Sequence, residues 1–200
     1  MNVLNSGSRS ASGYGVAAFG LVVLMALGFA ACAKPAEQAA VPPPVDPVAR
    51  GAYLVNISGC NDCHTPQRFG PTGLEPDMTR MLSGHPAELV LPEPPKLGEG
   101  PWIWTGTGTL TAYAGPWGLS YARNLTPDVE TGIGAWTEEM FVQTIRNGKH
   151  MGTGRPLLPP MPWKWTAQMT DEDLKAVYAY LKSIPAVANQ VPEPVPPPAP

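Results

Sequence analysis

Apolar residues recur at helical spacing in three stretches of this chain. Toward the C-terminus, Leu174, Val177, Tyr178 and Leu181 share one face behind Thr170, which is placed to cap a helix. Asp171, Glu172 and Asp173 fall at the positive end of its macrodipole, and Pro185 stops it. A second helix opens at Thr137, runs through Met140, Phe141, Thr144 and Ile145, and meets a left-handed stop at Gly148. The third begins at Asp46-Pro47, an N-cap followed by a first-turn proline, and extends to about Ile57 with Val48, Tyr53 and Leu54 toward one face. Between the first and second of these in chain order, residues 65–123 read as a long Gly/Pro-rich connection carrying Trp102, Trp104, Tyr113, Trp117 and Tyr121. Long connections in compact domains are uncommon and are often functional. Within it, Trp102 to Trp104 and Thr109 to Tyr113 flank Gly106-Thr107-Gly108, which predicts a short hairpin.

The two ends have another character. Arg9 precedes an apolar run from Val16 to Ala31 that closes on Phe29-Ala30-Ala31-Cys32, so residues 1–31 read as an export signal. At about 1.5 Å per residue the run covers roughly 24 Å, short of the roughly 30 Å hydrocarbon core of a bilayer. The segment resembles a bacterial lipoprotein signal, which implies a lipid on Cys32, although Phe29 stands where that pattern favours Leu. Cleavage after Ala33 and an uncleaved anchor are the competing readings, and each places the chain on the outer side of the cytoplasmic membrane. Residues 32–46 form a Pro/Ala-rich tether and 189–200 a Pro-rich tail, neither with the apolar content to fold alone.

Composition narrows what lies between. The 26 prolines and 21 glycines are well above ordinary usage, while charged residues make up 14%, against the usual quarter. A few short helices joined by ordered loops fit this better than long surface helices, with a bulky cofactor supplying apolar core that a small domain otherwise lacks. The formal charge of −3 and the absence of any basic run give no support to a nucleic-acid partner.

Cys60-Asn61-Asp62-Cys63-His64 supplies the chemistry. Cys-x-x-Cys-His is the attachment signature of a c-type haem: each thiol adds to one vinyl group, and the adjacent imidazole falls under the iron. A thiol redox pair needs a βαβ setting around Cys-x-x-Cys, and no such alternation surrounds these residues. The signature occurs once, which implies one covalently bound haem c. At these residues the chain resembles class I c-type cytochromes. The resemblance implies an all-α fold, the class I cytochrome c fold, with about three core helices around one covalent haem and long Pro/Gly-rich loops, within residues 47–188. It also implies Cys60 and Cys63 as thioether anchors, His64 as proximal ligand, and Gly51 as the notch where the C-terminal helix crosses the first.

A low-spin carrier needs a second axial ligand, and a thioether opposite imidazole raises the potential relative to two imidazoles. Met161 is the candidate, clamped by Pro159, Pro160 and Pro162, which remove backbone donors and stiffen its loop. The run from Asn124-Leu-Thr-Pro through Trp136-Thr137 and Pro160-Met161-Pro162-Trp163 to Leu181 resembles haem domains of bacterial membrane-associated cytochromes c, including dehydrogenase cytochrome subunits. That resemblance again implies Met161 as the distal ligand. Met151 and Met169 read as packing, and His85 and His150 as surface or loop residues. Arg146, Lys149 and Arg155 flank the ligand loop and are candidates to pair with haem propionates; Asp128 and Glu130 alone are too few oxygen donors for a calcium loop.

The expectation is therefore a monohaem electron carrier, not itself an enzyme, exchanging electrons with redox partner proteins on the periplasmic side of a membrane. The alternatives are the haem subunit of a larger dehydrogenase or oxidase complex, and a sensor or peroxidase-like domain with a labile distal ligand.

Overall fold

In the computed structural model, residues 45–197 are described; the expected signal, Cys32 and nearly all of the tether lie outside them. The helices predicted from apolar spacing are present, with their caps. Helix α1 spans Pro47–Ile57, and the Asp46 carboxylate accepts from the Val48 and Ala49 amides at 3.2 and 3.3 Å. Helix α2 is the single turn Cys60–His64, α3 spans Glu138–Asn147, α4 is the short Trp163–Thr166, and α5 spans Asp171–Ser183. Thr137 accepts from the Met140 amide and Thr170 from the Asp173 amide, each at 3.1 Å, and Gly148 closes α3 with φ 61°. Among the described residues no helix is long and apolar enough to cross a membrane.

Burial of the three amphipathic faces builds the core. Leu54 and Val55 of α1, Phe141, Val142 and Ile145 of α3, and Leu174, Val177 and Leu181 of α5 form one cluster, completed by Leu82 and Ile133 from loops. Helix α1 crosses α5 with Gly51 at the contact: a Cβ there would lie 1.9 Å from the Ala176 carbonyl oxygen and 2.7 Å from Tyr180 Cβ. Beside it, Arg50 Nε and Nη2 donate to the two Asp173 carboxylate oxygens at 2.9 and 3.2 Å. The paired, planar geometry fixes the relative rotation of the helices more than it adds stability, because both groups keep solvent contact.

The fold departs from the expected all-α, class I arrangement. Among the described residues it contains, besides five α-helices, two antiparallel sheets, both within the 65–123 connection. Strands β1 (Gln67–Gly70) and β2 (Gly73–Pro76) form a hairpin, and β3 (Thr105–Gly106), β4 (Ala112–Gly115) and β5 (Gly118–Tyr121) form a sheet in the order β3-β4-β5. The physical reason is hydrogen-bond satisfaction: short hairpins pair the amides and carbonyls of the connection locally. Tight turns make this possible. Gly118, at φ 90°, leads β5 so close to the C-terminal segment that a Cβ would sit 2.1 Å from the Val195 carbonyl oxygen. The hairpin predicted between Trp102 and Tyr113 corresponds to β3 and β4, in the register Thr105 to Ala114 and Gly106 to Tyr113.

The C-terminal segment, whose composition predicted a tail, lies against the domain through residue 197. Leu119 and Val195 exchange both backbone hydrogen bonds, at 2.8 and 2.9 Å, and Val191 is buried. The Asn189 side chain donates to the Ser83 and His85 carbonyls and accepts from the Ala87 amide. Backbone and amide hydrogen bonds here replace the apolar burial that the composition lacks.

At an open helical position Gly→Ala gains up to about 1 kcal/mol. Against the Ala176 carbonyl the sign reverses, and Gly51→Ala is expected to lower unfolding stability by about 1–3 kcal/mol in a denaturant titration.

Candidate haem site

Helix α1 ends at Ser58, and Gly59, with φ 67°, turns the chain before α2 begins. A Cβ at Gly59 would lie 2.8 Å from Asp62 Oδ2 as well as being strained. The single turn of α2 places Cys60 and Cys63 three apart on one face, with His64 following directly. Thr65 pins its C-terminal end: the hydroxyl donates to Asn61 Oδ1 at 2.7 Å and accepts from the Leu82 amide at 2.9 Å.

His64 is held from two sides. Its backbone carbonyl accepts from the Gly84 amide, and its Nδ1 lies 2.8 Å from the Arg123 carbonyl oxygen. A carbonyl can only accept, so Nδ1 carries the proton and Nε2 keeps its lone pair, the arrangement that orients a metal-binding imidazole. Burial pushes the His64 pKa down, with the Arg123 carbonyl opposing it, so the ring is neutral near pH 7. Arg123 is itself fixed: its Nη1 donates to the Val191 and Pro192 carbonyls at 3.2 and 3.3 Å and to Glu193 Oε1 at 3.1 Å.

Cys60 and Cys63 are both free thiols and partly buried. Burial is the main cause that raises the Cys60 pKa to about 11. A thiol with so little thiolate character at neutral pH is a poor redox nucleophile. Tyr113 lies beside the second cysteine, its hydroxyl 3.2 Å from Cys63 Sγ while also donating to the Leu110 carbonyl.

Met161 and Cys60 pack, partly buried, against the same core cluster. The Met161 loop is fastened by the Leu157 amide to Gly148 O at 2.8 Å and by Ser120 Oγ to Pro159 O at 2.7 Å. Trp163, next to the loop, lies flat on Gly148, where a Cβ would be 2.4 Å from the indole. A cavity of about 330 Å³ is lined by Leu157, Pro159, Pro160, Met161, Pro162 and Trp163, with two further residues of α4. Two cysteine sulfurs, a neutral imidazole with a free Nε2 and a thioether on a stiff loop fit a covalently attached haem c.

The other expected residues fall into place differently. His85 lies in a loop, as expected, but is completely buried there rather than at the surface, with Nδ1 2.9 Å from Thr111 Oγ1 and Nε2 3.1 Å from the Leu89 carbonyl. The carbonyl requires the proton on Nε2, so Nδ1 accepts from the threonine and both nitrogens are engaged. His150 meets Trp136 edge-on at 5.2 Å. Arg146 donates to Asp171 Oδ1 and the Ala167 carbonyl, and Arg155 pairs with Glu193 at 3.5 Å, so both have protein partners, while Lys149 is exposed. Asp128 Oδ1 accepts from the Thr131 amide and hydroxyl, which makes it a turn residue. Sequence reasoning missed Arg123 and Tyr113 as neighbours of the motif, because 59 and 50 residues separate them from their contacts.

Fructose dehydrogenase cytochrome subunit of Gluconobacter japonicus is 29% identical over 159 residues, and gluconate 2-dehydrogenase cytochrome c subunit of Pantoea cypripedii is 31% identical over 159 residues. Each alignment covers 80% of this chain and 26% of the relative. This chain is similar to cytochrome c subunits of bacterial dehydrogenases. It spans about a quarter of the length of these two relatives. A diheme cytochrome c-type protein of Cereibacter sphaeroides is 29% identical over 139 residues, 69% of this chain and 36% of that protein. No family model matches the chain.

Burial lowers the pKa of His85 below its ordinary value of 6.5. The unfolded chain therefore takes up the proton first as pH falls, so the stability His85 contributes is complete above about 6.5 and lost as pH drops through its folded value. The melting temperature of the native protein is expected to fall between pH 7 and pH 5 more steeply than that of His85→Gln, as measured by circular dichroism.

Proposed function

We propose that this chain is a c-type cytochrome module that carries one haem c and passes single electrons between redox partner proteins. The observation that carries this reading is the turn Cys60–His64 with His64 Nδ1 committed to the Arg123 carbonyl, which leaves Nε2 to face an iron. Cys60 and Cys63 are the thioether anchors, His64 the proximal ligand and Met161 the distal one. When bound, the haem supplies reversible exchange of one electron between ferric and ferrous iron. The protein's part is to hold the imidazole in one orientation, present the Met161 sulfur from a loop with little freedom to move, and surround both with apolar core, which keeps reorganisation small. Imidazole and thioether together give a higher potential than two imidazoles.

With His64 and Met161 both holding the iron, no substrate would reach the metal, and the chain would act as an electron carrier without catalysis of its own. The single Cys-x-x-Cys-His supports one haem, although one relative is named diheme. The names of the similar subunits support a place beside a dehydrogenase, as the haem-bearing partner that takes electrons from a catalytic subunit. The proposed location is the periplasmic side of a bacterial membrane, held by lipid on Cys32, with the proline-rich stretch after it as spacer. Two or more acyl chains hold a protein stably where one chain is marginal.

Produced with a cytochrome c maturation system, the protein is expected to keep haem through a denaturing gel, and Cys60→Ala with Cys63→Ala to lose it. The oxidised protein should show the weak near-infrared charge-transfer band of methionine on ferric iron, and Met161→His should abolish it. A band that survives that substitution rules out Met161 as the ligand.

Mass spectrometry of the mature protein from membranes is expected to find an acylated N-terminus at Cys32. An unmodified start at Lys34 argues against the anchor.

A further inference from the structure

We propose that the exposed corner from Trp102 to Trp104 is where a redox protein with an apolar, weakly charged face docks and delivers its electron, through Trp104 and Tyr113 to the sulfur of Cys63. The inference rests on the c-type cytochrome reading above and deepens it by naming the surface and the route.

Trp102 is 79% exposed, Ile103 62% and Trp104 46%, three large apolar residues in succession that the other described residues leave facing water. Contiguous exposed apolar groups of this kind mark interaction sites. What lies beneath them gives the patch its direction. The Trp104 ring meets Tyr113 edge-on, with centroids 5.9 Å apart and planes inclined by 65°, an ordinary aromatic contact. Tyr113 is only 7% exposed, and its hydroxyl ends 3.2 Å from Cys63 Sγ. Solvent, Trp104, Tyr113 and the haem-anchoring sulfur are thus joined by direct contacts with no gap between them. Electronic coupling falls far less steeply across touching atoms than across empty space, so this is a favourable route.

Tyr113 is held firmly in place. It lies on β4 between β3 and β5, paired with Gly106 and Ser120. A Cβ at Gly106 would approach its ring to 3.1 Å, so the glycine lets the sheet close over the phenol. The hydroxyl bonds to the carbonyl of Leu110, a residue in the left-handed region at φ 54°.

Charge selects the partner. From Gly100 to Ala122 there is no Asp, Glu, Lys, Arg or His. Aromatic-rich centres depleted of charge are characteristic of protein interfaces, and tryptophan and tyrosine dominate their energetics. In the transfer, the partner's reduced group loses one electron and ferric iron gains it to become ferrous. Trp104 and Tyr113 keep all their bonds and protons and only mediate.

The haem-loaded protein is titrated with oxidised lumiflavin, a neutral planar probe, while the indole N–H signals are followed by NMR. The Trp102 and Trp104 signals are expected to shift, with those of Trp163 and Trp165 unchanged. Reduction by lumiflavin semiquinone, generated by flash photolysis, should be several-fold slower in Trp104→Ala than in the native protein. Trp104→Phe should be close to native, and Trp165→Ala, at a tryptophan 79% exposed beside the Met161 loop, should be unaffected. Retention of the near-infrared band in every variant separates a lost route from a disturbed site. Shifts confined to Trp163 and Trp165, or an unchanged rate in Trp104→Ala, overturn the proposal. Failure of the native protein to hold haem covalently refutes the cytochrome reading instead.

Discussion

The hydrogen bond from His64 Nδ1 to the Arg123 carbonyl ties the parts of this molecule together. It joins the first residue before the long connection to the last residue of it, 59 positions away, and so closes the whole of residues 65–123 into a loop with a fixed base. The ends of that base are reinforced. Gly84 donates to the His64 carbonyl, the His85 amide donates to Ala122, and Arg123 reaches the C-terminal segment at Val191 and Pro192. One imidazole nitrogen committed and the other left free follow directly from this anchoring, while burial keeps the ring neutral. Without the carbonyl, neither the tautomer nor the ring plane would be defined.

Polar bonding, more than apolar burial, holds the half of the molecule distant from the helices. Asn189 alone engages Ser83, His85 and Ala87, while Asn124 donates to Val187 and Thr131. Buried His85 draws Thr111 and, through it, Thr109 and Thr107 into one chain of side-chain contacts, at 2.9, 2.8 and 2.9 Å. Satisfied networks of this kind specify one arrangement, and a half-satisfied one would be worse than apolar packing. This is how a chain poor in charge and rich in proline can order a long connection and a C-terminal segment that have little core of their own.

The helical half obeys a different rule. Its elements are set by apolar period and caps, and they dock through one close crossing at Gly51 and one broad cluster around Leu54, Phe141 and Leu174. The proposed ligands come from the two halves of this organisation: Cys60, Cys63 and His64 follow directly from α1, while Met161 hangs on a loop tied to both α3 and β5. Their relative placement is thus a property of the assembled domain.

The three longer helices and their ends were legible in the residues alone, because caps such as Asp46, Thr137 and Thr170 act within one turn of the residues they stabilise, whereas the short turns Cys60–His64 and Trp163–Thr166 carry no such signal. The sequence by itself also determined the likeness to dehydrogenase cytochrome subunits, because the carrying motifs are contiguous. The expectation of an all-α fold did not survive, since β1 to β5 are two to four residues long, too short for alternation to stand out among prolines and glycines. Nor did composition reveal that Val191 and Val195 are docked, or that His85 is buried, because each depends on a partner supplied from elsewhere in the chain. Only the tertiary structure decided which carbonyl holds His64 and which aromatic reaches Cys63. Those contacts span 59 and 50 residues, and a pairing at such separation leaves no local pattern: it exists only once the hydrogen bonds of the intervening segment have brought its ends together.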